Sequence, residues 1–100
     1  MLDVGVAVEV HLDPRLSGAR LSGLTSHQRQ QGLYGAQVSA LQPGSRAAAS
    51  GLEQGDVILA VNRQRITSLG QLRQLLREFH PDRLVLTVVH DNTLRFVLLQ

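Results

Sequence analysis

The chain has 100 residues, a length that suits one domain with a single modest core. Its formal net charge is +2, all ten basic residues are arginine and only three residues are aromatic, which argues against a nucleic-acid-binding surface. The absence of cysteine excludes a disulfide framework and thiol chemistry, and no apolar run approaches the eighteen residues of a membrane span. We therefore expect neither a nucleic-acid partner nor direct membrane insertion.

The N-terminal twelve residues alternate between aliphatic and small or polar side chains. This period of two is typical of a half-buried strand. Asp13-Pro14 ends the strand, residues 16–22 are predicted to form a second short one, and the polar residues 23–32 are predicted to form a mobile loop. The aliphatic positions of the first strand are Val4, Val6, Val8, Val10 and Leu12.

The middle of the chain predicts a strand, a short helix and a second strand. Residues 34–41 form the first strand. Ser45 is placed to cap a helix over residues 46–50, and Gly51 supplies the left-handed conformation beyond its end. The continuous apolar run at residues 57–61 predicts a buried central strand.

A longer helix follows a turn at residues 62–65. Ser68 and Gln71 have the spacing of a capping box, in which each side chain satisfies an otherwise unpaired amide. Pro81 ends the helix. Its apolar face comprises the residues at helical spacing, namely Leu69, Leu72, Leu75, Leu76 and Phe79.

Two strands at residues 83–90 and 93–99 complete the predicted fold, joined by a hairpin turn at Asp91-Asn92. The predicted order is strands, short helix, strand, longer helix and two strands. This order indicates an α+β domain in which five to six antiparallel strands form a small, partly open barrel or sandwich capped by two helices.

The segment Gly44–Ile58 resembles the run G-S-P-A-A-x-A-G-L-x-x-G-D-x-I of PDZ domains, specifically those of bacterial HtrA/Deg-type proteases. The resemblance extends over residues 16–99 and is greatest to the second, C-terminal PDZ domain of these proteases. Arg46 stands where the family usually has proline. The resemblance implies a PDZ domain at residues 16–100, preceded at residues 1–15 by an extra strand or interdomain segment.

Further expectations follow from this resemblance. The chain would be a non-catalytic, periplasmic module without a cofactor, and its parent would be a serine endopeptidase whose catalytic domain lies outside it. Its partners would be C-terminal or unfolded polypeptide segments, together with other subunits or domains of the parent. The PDZ domain of a site-two-type membrane protease or of a secretion component is an alternative.

The resemblance also implies a groove in which an extended peptide adds a strand to a sheet edge beside a helix. A glycine-containing loop before the edge strand would hold the peptide's terminal carboxylate through the amides of Tyr34, Gly35 and Ala36. The small side chain of Ala36 implies a wide or shallow terminal pocket. The full assignments are Gly32, Leu33, Tyr34, Gly35 and Ala36 for the loop, Ala36, Gln37 and Val38 for the pairing strand, and Leu69, Leu72, Leu75 and Leu76 for the pocket.

The sequence leaves two alternatives to an open groove. The segment before Asp13 could itself occupy the groove. The domain could instead be an assembly module with no ligand in its groove, contacting other subunits through Arg73 and Arg77.

Other polar residues carry structural interpretations. Asp56 is predicted to be a turn or cap carboxylate, and Ser45 and Ser50 lack the sequence context of a catalytic nucleophile. The four histidines share no ligand spacing, so no metal site is predicted from His11, His27, His80 and His90.

Overall fold

A computed structural model of the protein describes residues 8–9, 14–79 and 82–99; the side chains of Val8, Glu9 and Phe79 lie outside this description. The strands are β1 (Val8–Glu9), β2 (Ala19–Gly23), β3 (Ala36–Leu41), β4 (Val57–Val61), β5 (Gln64–Arg65), β6 (Leu84–His90) and β7 (Thr93–Leu99). The helices are α1 (Ser26–Gln30), α2 (Arg46–Ala49) and α3 (Leu69–Phe79), and a single 3₁₀ turn covers Pro14–Leu16.

Six strands lie side by side in the order β1-β2-β3-β4-β6-β7, and each neighbouring pair is antiparallel. The short β5 pairs with the end of β4. In the described part of the chain the sheet is open, with β1 at one edge and β7 at the other. The predicted α+β class is confirmed.

The core lies between one face of this sheet and helices α2 and α3. Its members are aliphatic, as the scarcity of aromatic residues requires. β4 is the predicted central strand, and Val57, Ile58 and Val61 are buried. The predicted apolar face of α3 is confirmed for the four leucines, all of which belong to the core: Leu69, Leu72, Leu75 and Leu76.

The ends of α2 agree with the sequence prediction. The hydroxyl of Ser45 accepts a hydrogen bond from the amide of Ala48 at 3.2 Å. Gly51 follows the helix with φ +107°, a conformation that residues with a β-carbon rarely adopt.

The capping box predicted for α3 is only half formed. The amide of Gln71 donates to the hydroxyl of Ser68 at 3.1 Å, as predicted. The side-chain carbonyl of Gln71, however, accepts from the amide of Thr67 at 2.6 Å and not from that of Ser68. The glutamine side chain therefore reaches one residue further back along the chain than the motif predicts.

The prediction of a loop at residues 23–32 is wrong, because α1 forms there. Thr25 and Gln28 make the reciprocal capping box of this helix, with Thr25 N donating to Gln28 Oε1 at 2.9 Å and Gln28 N donating to Thr25 Oγ1 at 3.2 Å. The helix buries no residue, so its sequence carries no apolar periodicity. The cap alone marks its beginning.

The hairpin between β6 and β7 has the predicted two-residue turn. Asp91 and Asn92 have φ +51° and +64°, as a type I′ turn requires at both central positions. Near the opposite end of β6, the side chain of Asn62 bridges to its backbone, accepting from Val85 N and donating to Arg83 O, each at 2.8 Å. Among the described helices, none is long and apolar enough to cross a membrane.

We expect Gly51→Val to lower the free energy of unfolding by about 1–2 kcal/mol, because a branched residue is strained in the left-handed region. Gly23→Val is the matched control, since Gly23 has no positive φ and a β-carbon there meets no atom within 4 Å. Urea denaturation monitored by circular dichroism measures both. Equal stability of the two variants would contradict the assigned end of α2.

Candidate functional site

The strand predicted to pair with a peptide lies in the interior of the sheet. Ala36 pairs with Gly23 of β2 on one side and with Ile58 of β4 on the other. The amide of Val38 donates to the carbonyl of Asp56 at 2.8 Å. The prediction that residues 36–38 offer an open edge is therefore wrong, because both sides of this strand are already hydrogen bonded.

The glycine before β3 is required for packing. Gly35 is buried, has φ +102°, and a β-carbon at this position would overlap the carbonyl oxygen of Ile58. Glycine thus permits β3 and β4 to approach each other at the point where they begin to pair. This contact explains why position 35 is glycine, and no bound carboxylate is needed to explain it.

The rest of the predicted carboxylate loop continues from α1. The amide of Gly32 donates to Arg29 O at 3.0 Å and that of Leu33 to Gln28 O at 3.2 Å, so both satisfy carbonyls at the end of the helix. The ring of Tyr34 lies under the guanidinium of Arg65, 4.1 Å from the ring centroid. These interactions stabilise the loop in place between α1 and β3.

The strand that borders the groove is β2. Its inner side pairs with β3. Among the described residues its outer side carries only β1, in which Val8 lies opposite Ser22 and Glu9 opposite Leu21. The predicted N-terminal strand is thus described only at residues 8–9; the remaining positions of that prediction lie outside the described residues. The predicted second strand exists but begins at Ala19, because a 3₁₀ turn over Pro14–Leu16 comes first.

Helix α3 packs against β2 and forms the other wall of the groove. A cavity of about 530 Å³ lies where the end of β2 meets the start of α3. It brings together some of the predicted residues, because Leu33, Tyr34 and Gly35 line it with Leu69. Leu72, Leu75 and Leu76 are instead buried in the core.

Nothing in the sequence distinguishes the two glycine-preceded strands. Gly18 precedes β2 and Gly35 precedes β3, and both have positive φ, at +93° and +102°. A β-carbon at Gly18 would overlap the side chain of Ser45. Both glycines therefore satisfy a packing constraint as well, and only the strand order shows which strand adjoins the groove.

Asp56 carries a buried interaction network that the sequence only partly predicts. Its carboxylate accepts from Glu53 N at 2.9 Å, which confirms the predicted turn carboxylate. Both oxygens of the carboxylate accept hydrogen bonds from Arg95 Nη2, at 2.9 and 2.8 Å. Asp56 Oδ1 also lies 3.0 Å from His90 Nδ1. Glu53, Asp56 and His90 could share a cation by distance, but the Arg95 guanidinium already supplies a positive charge there.

Comparison with known proteins defines the class. A family model described as "PDZ domain" matches residues 37–90 of the chain. The chain therefore belongs to the PDZ domain family. It corresponds to the non-catalytic PDZ region of HtrA-type proteases, as the relatives below show.

Two curated relatives are periplasmic proteases. A probable periplasmic serine endoprotease, DegP-like, from Chlamydia muridarum (strain MoPn / Nigg) is 36% identical over 97 residues, which cover 97% of this chain and 18% of the relative. The periplasmic pH-dependent serine endoprotease DegQ from Escherichia coli (strain K12) is 34% identical over 89 residues, 89% of this chain and 19% of the relative. The chain thus spans about a fifth of the length of these relatives.

A solved structure shows the same fold. The crystal structure of the HtrA3 PDZ domain bound to a phage-derived ligand (FGRWV) superposes with a TM-score of 0.68 at 19% sequence identity. The match covers 94% of this chain and 84% of that chain.

We expect Gly35→Ala to destabilise the fold by at least about 2 kcal/mol, because the new methyl group meets backbone and the residue keeps a positive φ. Gly32→Ala is the matched control: it has φ +86°, but a β-carbon there meets nothing within 4 Å. Urea unfolding of both variants measures the difference. Equal losses of stability in the two variants would show that the contact with Ile58 does not require glycine at position 35.

Proposed function

We propose that this chain is the peptide-binding PDZ module of a periplasmic HtrA-type serine endoprotease, corresponding to the second PDZ domain of the parent. Extended or C-terminal segments of unfolded proteins would add as a strand to β2, between β2 and α3. The observation that carries this proposal is that only the two residues of β1 cover the outer side of β2 among the described residues. The periplasmic relatives support the proposed parent and compartment.

The direction of β2 sets the proposed direction of the ligand. A peptide that pairs antiparallel has its C-terminal end near Ala19 and its N-terminal end near Gly23. The turn at Ser17–Gly18, left-handed at Gly18, precedes Ala19 and takes the place first assigned to the 32–36 loop. Backbone pairing supplies affinity independent of sequence, while the cavity beside Leu69 would select side chains.

The N-terminal segment is an internal competitor in this proposal. β1 pairs antiparallel with β2, as a peptide ligand would, and it is tethered to β2 through the Pro14–Leu16 turn. A tethered segment has a high effective concentration, so a free peptide must displace it or pair beyond it. We accordingly expect affinities no tighter than about micromolar for short peptides.

The terminal carboxylate is tested with matched peptides. A peptide with a free apolar C-terminus should shift the amide resonances of residues 18–22 and of the first turn of α3. The same peptide with an amidated C-terminus should bind at least about tenfold more weakly if main-chain donors hold the carboxylate. Equal binding of both forms would restrict the site to internal segments, and the absence of binding to β2 would refute peptide recognition.

Internal competition is tested in the full chain. The double variant V8P/E9P removes two backbone donors and cannot form β1, so the same peptide should bind about tenfold more tightly. The control V8T/E9T keeps the amides and the strand propensity, and its affinity should equal that of the wild type. Tighter binding by both variants, or by neither, would contradict competition by β1.

An assembly function is the second candidate, and the occupied edge of β2 favours it. The surface predicted for it lies on α3, where Arg73 is half-buried and Arg77 is exposed. In the full-length parent, R73E/R77E should then change the oligomer measured by light scattering. An unchanged oligomer with lost peptide response would favour peptide recognition.

A further inference from the structure

The outer face of β7 displays the three large hydrophobic side chains that remain exposed in the described part of the chain. Leu94, Phe96 and Leu98 are 55%, 69% and 44% exposed. They alternate with Val97 and Leu99, which are buried in the core. One face of the strand therefore packs and the other offers a row of apolar groups to a partner.

The backbone of the same three residues faces the open edge of the sheet. His90 and Thr93 close a two-residue hairpin, so they form a hydrogen-bonded pair, and such pairs recur at every second residue of an antiparallel ladder. Residues 93, 95, 97 and 99 consequently bond to β6. The N–H and C=O groups of residues 94, 96 and 98 point away from β6, where the described sheet ends.

This edge lacks the features by which proteins usually block edge-to-edge pairing. β7 is seven residues long, contains neither proline nor lysine, and pairs with β6 in one uninterrupted register. Its one charged residue, Arg95, is turned inward to Asp56. A seven-residue apolar edge of this kind is a template for another strand.

We propose that β7 pairs antiparallel with β7 of a second copy of this chain, forming a two-fold symmetric dimer with one continuous sheet. The sequence Leu94-Arg95-Phe96-Val97-Leu98 is palindromic in its outward residues. Centring the pairing on Phe96 places it opposite its own copy and each Leu94 opposite Leu98 of the other copy. All three residues would then satisfy their backbone groups and cover their side chains together.

Charge complementarity supports the same register. Arg63 and Arg83 lie with Phe96 around a cavity of about 520 Å³ at one end of β7. Asp91, with a side chain 92% exposed, lies at the other end. Antiparallel pairing brings the basic end of each copy toward the acidic end of the other, with the Cα atoms of Arg83 and Asp91 about 14 Å apart across three strand spacings.

The interface lies on the opposite edge of the sheet from the proposed peptide groove at β2. A dimer formed through β7 leaves that groove accessible. Loss of the β7 dimer would therefore leave peptide binding at β2 intact, and loss of peptide binding would leave the dimer intact.

Sedimentation equilibrium of the full chain should show a concentration-dependent monomer–dimer equilibrium. Phe96→Glu should weaken the dimer at least tenfold, because it places two carboxylates opposite each other. Gln30→Glu is the control, because Gln30 is exposed on α1 away from β7, and it should leave the dissociation constant unchanged. A monomer at all concentrations, or equal dimerisation of Phe96→Glu and wild type, would overturn the proposal.

A double-mutant cycle tests the register. Leu94→Lys and Leu98→Glu should each weaken the dimer at least about tenfold, and the double variant should weaken it by less than the product of the two, because the new charges lie opposite each other in this register. Independent effects would exclude the pairing centred on Phe96.

Discussion

The approach of the backbone at Gly35 to that of Ile58 is the constraint on which the architecture depends. It allows β3 to lie directly against β4, so β3 becomes an interior strand and β2 is displaced outward to border the groove. A side chain at position 35 would separate the two strands at the start of their pairing. One missing β-carbon therefore permits β3 to occupy the interior of the sheet.

Much of the fold could be predicted because its elements carry local signals. The apolar run of β4, the leucine spacing of α3, the serine cap and glycine end of α2, and the Asp91-Asn92 turn each correspond to what the structure shows. Helix α1 escaped prediction because it buries no side chain. Its Thr25–Gln28 capping box was the available signal, set within a polar segment without apolar periodicity.

The family was predictable from the sequence, but the strand that borders the candidate groove was not. The segment at residues 44–58 identified a PDZ domain, and the family match confirms it. Two strands begin after a glycine with positive φ, and strand order is a non-local property that neither glycine reveals. The contacts of Asp56 were equally hidden, since His90 and Arg95 lie 34 and 39 residues away in sequence. The local sequence therefore predicted the individual helices, strands and turns, whereas the order of the strands in the sheet determined which of them lie side by side.

The network around Asp56 has a consequence for how the domain comes apart. The fully buried carboxylate joins the turn after α2 to the C-terminal hairpin, and Arg95 also donates to the carbonyl of Gly51 at 3.2 Å. Detaching the hairpin would break the charge-assisted contacts of Asp56 with Arg95 and His90, in addition to exposing the aliphatic side chains that β6 and β7 bury. In a chain without cysteine, this ion pair links the last two strands to the turn after α2, so local opening of the hairpin also breaks contacts on the far side of the core.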